Sequence, residues 1–137
     1  MDISINHLQH VGIPVTDIAT SKLFYESLGF TDVMSTTFEL EGEQGKVSMM
    51  QLKGMIIELY QMPKSHLEEV RSRSNGHVDH IAFDVDDVDA VFQKLKNAGY
   101  RIVEDAPVHL PTFWSTGCRY FMILGPDGER LEFNQIL

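Results

Sequence analysis

Apolar and polar residues alternate along residues 8–15, with Val11, Ile13 and Val15 on one side and His10 and Gly12 on the other. That is the period of a half-buried strand. Asp17 follows, a side chain able to accept from the first free amides of a helix, and Gly29 stands where a left-handed residue would end it. The spacing predicts a helix from Asp17 to about Leu28, packed on a sheet through Leu23, Phe24 and Leu28. Strand-like stretches follow near residues 32–40, 46–52 and 55–60. Pro63, a mixture of charges and the run Ser72-Arg73-Ser74-Asn75-Gly76 mark residues 61–76 as a linker. The same order then returns: a strand over 78–85, a helix from Asp87 to about Asn97 with Gly99 as its stop, and strands near 100–105, 118–124 and 129–135. Gly125-Pro126-Asp127-Gly128 reads as the hairpin turn between the last two.

The recurrence is one of residues as well as of elements. Shifted by 70 positions, residues 10–33 lie over residues 80–103 without a gap, matching His10 to His80, Val15 to Val85, Asp17 to Asp87, Gly29 to Gly99 and Val33 to Val103. Ile57-Glu58-Leu59 lies over Leu131-Glu132-Phe133 at an offset of 74, one insertion of four residues later. A repeat of this length means two copies of one supersecondary plan. The architecture expected is α+β: two βαβββ modules, about residues 6–62 and 77–137, within a single domain of 137 residues, their strands forming a curved mixed sheet.

Charge narrows the partners. Lys and Arg number 11 against 20 Asp and Glu, a net charge of −9, with no basic run to displace counterions from a phosphate backbone. Nucleic acid is excluded on that ground. No apolar run approaches the ~20 residues of a membrane span, and the N-terminus lacks a leader pattern. Cys118 is the single cysteine and cannot form an internal disulfide. A cytoplasmic protein acting on a small molecule is the expectation.

The repeat sets two histidines and two glutamates at equivalent places: His10 and His80 at the opening strands, Glu58 and Glu132 on the closing ones. A carboxylate inside an apolar strand such as Met55-Ile56-Ile57-Glu58-Leu59-Tyr60 is costly to bury without a cation, a partner or water. Two imidazoles and two carboxylates suit a divalent first-row ion with positions left open for water or substrate. His7 and His77 also repeat, but residues three apart on a strand point to opposite faces. His10 and His80 are preferred because Gly12 and Ala82, their next same-face neighbours, are small and leave room beside an ion.

The segments H-V-G-I-x-V-x-D…F-Y…L-G-F and H-I-A-F-x-V-x-D, with the closing G-P-D-G…L-E-F, resemble the vicinal oxygen chelate superfamily over residues 7–135. Within it the chain is similar to the glyoxalase I (lactoylglutathione lyase) branch. The resemblance implies paired modules wrapped about one divalent metal ion (Ni, Co, Mn, Fe or Zn), with His10, Glu58, His80 and Glu132 at the four ligand positions. A glutamate at position 58 favours glyoxalase I over methylmalonyl-CoA epimerases, which carry Gln there. The implied reaction is a 1,2-proton shift through a metal-stabilised enediolate, turning the hemithioacetal of a 2-oxoaldehyde into a 2-hydroxyacyl thioester. By the same resemblance Glu132 is the first choice for the base and Glu58 the second, and the active form is a homodimer. Other readings on this fold are an epimerase of the methylmalonyl-CoA type and a non-catalytic, resistance-type binding protein. The segment 107–117 holds Phe113 and the single tryptophan, Trp114, as candidates for a substrate pocket.

Overall fold

The computed structural model describes residues 10–75, 78, 80–111 and 116–137. The chain divides into two units, Met1–Arg73 and Ser74–Leu137, each carrying one four-stranded mixed sheet and a ten-residue helix. In the first unit these are β1 (Val11–Pro14), α1 (Ile18–Ser27), β2 (Thr31–Leu40), β3 (Glu43–Leu52) and β4 (Met55–Gln61), in sheet order β1-β4-β3-β2. A 3-10 turn (Lys64–His66) and the short helix α2 (Leu67–Arg71) follow. The second unit has β5 (Ile81–Asp84), α3 (Val88–Asn97), β6 (Val108–Leu110), β7 (Cys118–Leu124) and β8 (Arg130–Ile136), in order β5-β8-β7-β6. First and last strands pair in parallel in both units, and the other pairings are antiparallel. This is the α+β arrangement of paired βαβββ modules. Among the described residues no helix is long and apolar enough to cross a membrane.

Local chemistry sets the helix limits. Asp17 accepts from the Ala19 and Thr20 amides at 3.0 and 3.3 Å, and Asp87 accepts from the Ala90 amide at 2.9 Å. A second cap recurs in both units: Gln61 Oε1 accepts from the Ile18 amide at 2.8 Å and Gln135 Oε1 from the Val88 amide at 3.0 Å. Each helix is thus tied to the end of its unit's last strand. Gly29 and Gly99 leave their helices at φ +96° and +80°, where a side chain would be strained.

Each helix covers one face of its sheet. Ile18 and Tyr25 of α1 are buried with Ile13, Met50, Ile57 and Leu59. Phe92 of α3 meets Phe121 of the sheet, their rings edge to face at 5.2 Å, and Phe121 stacks on Phe133 at 5.2 Å. Strand alternation turns every second residue to the opposite, helix-free face. On it stand Gly12, Glu58 and Tyr60 in one unit and Ala82, Glu132 and Asn134 in the other.

Three expectations need correction. Leu23 does not pack α1 on the sheet, being 68 % exposed. The buried stripe is Ile18, Ser21 and Tyr25, from whose centre Leu23 lies well over a third of a turn away at roughly 100° per residue. Residues 100–105 form no strand, only an isolated bridge between Ile102 and Ile123, and the fourth strand of the second sheet is β6, inside the segment 107–117 that the sequence offered for a substrate pocket. The linker 61–76 is partly helical, because Leu67 and Val70, three apart, bury one side of α2.

Candidate metal centre

His10 stands immediately before β1, and β1 runs beside β4 with Gly12 opposite Glu58. The parallel register carries the histidine to the glutamate: His10 Nε2 lies 3.3 Å from Glu58 Oε2. In the second unit His80 stands immediately before β5, Ala82 lies opposite Glu132, and His80 Nε2 is 3.5 Å from Glu132 Oε2. The same backbone device therefore builds the same His–Glu pair twice. A methyl at Gly12 would sit 3.5 Å from Glu58 Oε2 and 3.4 Å from the Tyr60 ring, so the glycine keeps the space beside the pair clear.

The pairs differ in how firmly the carboxylate is held. Glu132 is 8 % exposed, and its Oε1 accepts from Asn134 Nδ2 at 2.7 Å. The same amide nitrogen reaches Cys118 Sγ at 3.7 Å. With one oxygen fixed by Asn134, the other is left towards His80. At the equivalent place in the first unit Tyr60 follows Glu58 by two residues and offers a ring instead of an amide, and the Glu58 side chain is 26 % exposed.

Adjacent ligands bonded at ~2.1 Å to one first-row ion stand roughly 3.0–3.5 Å apart, and the two pairs fall within that span at 3.3 and 3.5 Å. Imidazole nitrogen with carboxylate oxygen is also the donor set such ions accept. Each unit by itself brings together two candidate ligands, and within either unit no group of three or more His, Cys, Asp or Glu side chains could hold an ion among the described residues.

Beside the second pair lies a cavity of about 530 Å³, within the range of small-molecule pockets. His80, Glu132 and Asn134 line it with Asp84, and so do Leu110, Tyr120, Met122 and Ile136. Phe113 and Trp114, the pocket residues expected from the sequence, lie outside the described residues, as do His7 and His77.

Asn134 and the apolar lining escape a reading of the sequence alone. Alternation outward from Glu132 reaches Asn134 and Ile136. Placing Tyr120 and Met122 beside them needs the β7–β8 register, in which Tyr120 faces Asn134 and Met122 faces Glu132.

Comparison with known proteins agrees with the duplicated plan. The sequence profile of the Glyoxalase/Bleomycin resistance protein/Dioxygenase superfamily matches residues 7–133. The chain belongs to this superfamily. It is 32 % identical to the uncharacterized protein YwbC of Bacillus subtilis over 138 residues, 93 % of this chain and 96 % of the relative. Among solved structures it resembles TnmS3, an antibiotic binding protein from Streptomyces sp. CB03234, at a TM-score of 0.70 and 25 % identity, covering 99 % of this chain and 100 % of the other. The fosfomycin resistance protein FosX from Listeria monocytogenes shares the fold at a TM-score of 0.68 and 18 % identity, over 98 % and 96 % of the two chains. The glyoxalase/bleomycin resistance/dioxygenase superfamily thus spans enzymes and proteins that bind small molecules, and membership leaves the chemistry to the site.

Proposed function

We propose that this chain is a metal-dependent lyase or isomerase of glyoxalase I type, with His10, Glu58, His80 and Glu132 as ligands of one divalent ion. The observation that supports it is the repeated His–Glu pair, at 3.3 and 3.5 Å, on the helix-free face of each sheet. A protein that only bound an apolar molecule would gain nothing from a carboxylate facing an imidazole twice over, one of the two nearly buried. When bound, the ion supplies positive charge opposite the oxygens of a substrate with two vicinal oxygens, which lowers the barrier to removing a neighbouring carbon-bound proton.

The residues of the chain do the rest. Glu132 takes the proton from one carbon of a 2-oxoaldehyde–thiol hemithioacetal and returns it to the adjacent carbon, so that a 2-hydroxyacyl thioester leaves with no net redox change. Asn134 holds Oε1 of Glu132 at 2.7 Å and so limits the directions in which the carboxylate can swing. Glu58, less buried, is the alternative base. The working form is a homodimer, which gel filtration tests directly.

The decisive experiment combines metal analysis with turnover of methylglyoxal in the presence of several thiols. Glu132→Gln is expected to lower kcat by at least about 10²-fold, the typical contribution of a general base, while retaining some metal. His80→Ala is expected to lose both metal and turnover. Full activity in either variant refutes the assignment. A second reading, sequestration of a small molecule, is favoured by the apolar lining from Leu110, Tyr120, Met122 and Ile136 and by the likeness to an antibiotic binding protein. Protein purified without stoichiometric metal, yet binding apolar ligands, would select it.

A further inference from the structure

Every Lys and Arg of the chain is among the described residues, and five of the eleven, Lys94, Lys96, Arg101, Arg119 and Arg130, belong to the second unit. Three of the eleven lie within strands. Lys46 pairs across the ladder with Gln61, the residue that caps α1, and so belongs to the helix side. Arg119 also turns to the helix side, where it grips Asp89 of α3 with both guanidinium nitrogens. Arg130 alone shares the helix-free face with Glu132, two residues away, and it does not line the cavity. None of the other Lys or Arg residues lines it either.

Among the described residues the polar groups of the cavity are thus one imidazole, one amide, the Tyr120 hydroxyl and two carboxylates, Asp84 and Glu132. Asp84 is not among the proposed ligands and stays as negative charge in the cavity. An anion entering this space meets like charge in a surround of reduced dielectric, with no guanidinium or ammonium to receive it. Apolar groups, by contrast, gain from the Leu110, Met122 and Ile136 side chains.

We infer that the cavity takes the uncharged, apolar end of its ligand, and that the substrate is a neutral vicinal-oxygen compound carried on an uncharged thiol rather than on a thiol bearing carboxylates or phosphates. The identity of the substrate as a vicinal-oxygen compound on a thiol rests on the reaction under Proposed function. The charge preference of the cavity is a property of its lining.

Two measurements on the metal-loaded protein keep the two readings apart. The first is direct binding of 1-phenylpropane-1,2-dione against its 4-carboxyphenyl counterpart, which places one negative charge away from the vicinal oxygens. The dione is expected to bind at least about tenfold tighter, and Asp84→Asn is expected to at least halve that ratio. Equal or tighter binding of the carboxylate, or no binding of the dione, overturns the inference whether or not the protein is an enzyme. The second is kcat/KM for the phenylglyoxal hemithioacetals of 3-mercaptopropionate and of 2-mercaptoethanol, where a gain of about tenfold or more is expected for the uncharged alcohol. Parity, or preference for the carboxylate-bearing thiol, overturns the neutral-thiol assignment while leaving the proton shift standing. Absence of turnover with both thiols refutes Proposed function and with it the thiol assignment, and the dione comparison then decides the cavity alone.

Discussion

Glu132 carries its carboxylate into a place that is only 8 % exposed, and ionised groups are rarely left there unpaired. Two neighbours answer for it, His80 at Oε2 and the Asn134 amide at Oε1. Removing the amide while keeping the charge leaves one carboxylate oxygen without its donor, a loss of about 1–3 kcal/mol. Asn134→Leu is therefore expected to lower the melting temperature of the metal-free protein, and to do so much less when Glu132 is already Gln. A double-mutant cycle by denaturant titration reads that coupling. Because a partner that orients a metal ligand typically contributes 10–100-fold to affinity, the same variant should bind Co(II) about that much more weakly in a competition titration. Unchanged Co(II) affinity would separate Asn134 from the proposed centre. Alternation sets this asparagine on the same face as Glu132, but nothing in the sequence marks it as the partner of the carboxylate. The His and Glu positions stood out because they recur, whereas Asn134 replaces a tyrosine in the other copy and repetition cannot find it.

At the scale of elements, the two long helices are legible because their starts and stops are local chemistry. Asp17, Asp87, Gly29 and Gly99 act within a few residues of where they stand. The Thr20 backbone N–H, joined by the Thr20 hydroxyl and the Ala19 N–H, holds the Asp17 carboxyl below its ordinary value of 3.8. A carboxyl depressed on folding adds stability above its unfolded pKa and loses it as pH falls through the lower folded value. Asp17→Ala is therefore expected to lower the melting temperature near pH 7, with the gap to the parent narrowing below about pH 3.8. Thermal scans from pH 7 down to pH 2.5 check this, and a gap independent of pH would remove the charged cap from the account. Elements fixed by long-range pairing were less legible. Residues 100–105 look as strand-like as any other stretch, but only Ile102 finds a ladder partner. Val108–Leu110 has little alternation to show, yet it closes the sheet because Val108, His109 and Leu110 meet Tyr120, Arg119 and Cys118. The side of α1 that is buried likewise depends on the sheet beneath it, and Leu23 carries no local mark of being on the far side.

For the whole molecule, duplication has divided one proposed ligand set between two units that each fold about their own core and each cap their helix with a glutamine of their last strand. Two divisions of labour are open to such a chain: a separate ion at each His–Glu pair, or one ion shared by both. Two ligands make a weak site for a first-row ion, since even catalytic centres generally supply three protein donors. Each unit alone has two. The shared ion proposed above is therefore the arrangement expected to bind more tightly, and it predicts one metal per His10, Glu58, His80 and Glu132. It also fixes how the loss of one ligand must propagate. His10→Ala and His80→Ala, altered in different units, are each expected to reduce bound metal from about one per chain to well below half, with parallel loss of the metal-dependent rise in melting temperature. Separate ions would instead give two per chain in the parent and leave one in either variant. Elemental analysis of the parent and the two variants, set beside melting curves with and without chelator, distinguishes these outcomes. Retention of a full equivalent of metal in either histidine variant would mean that the two halves do not share an ion.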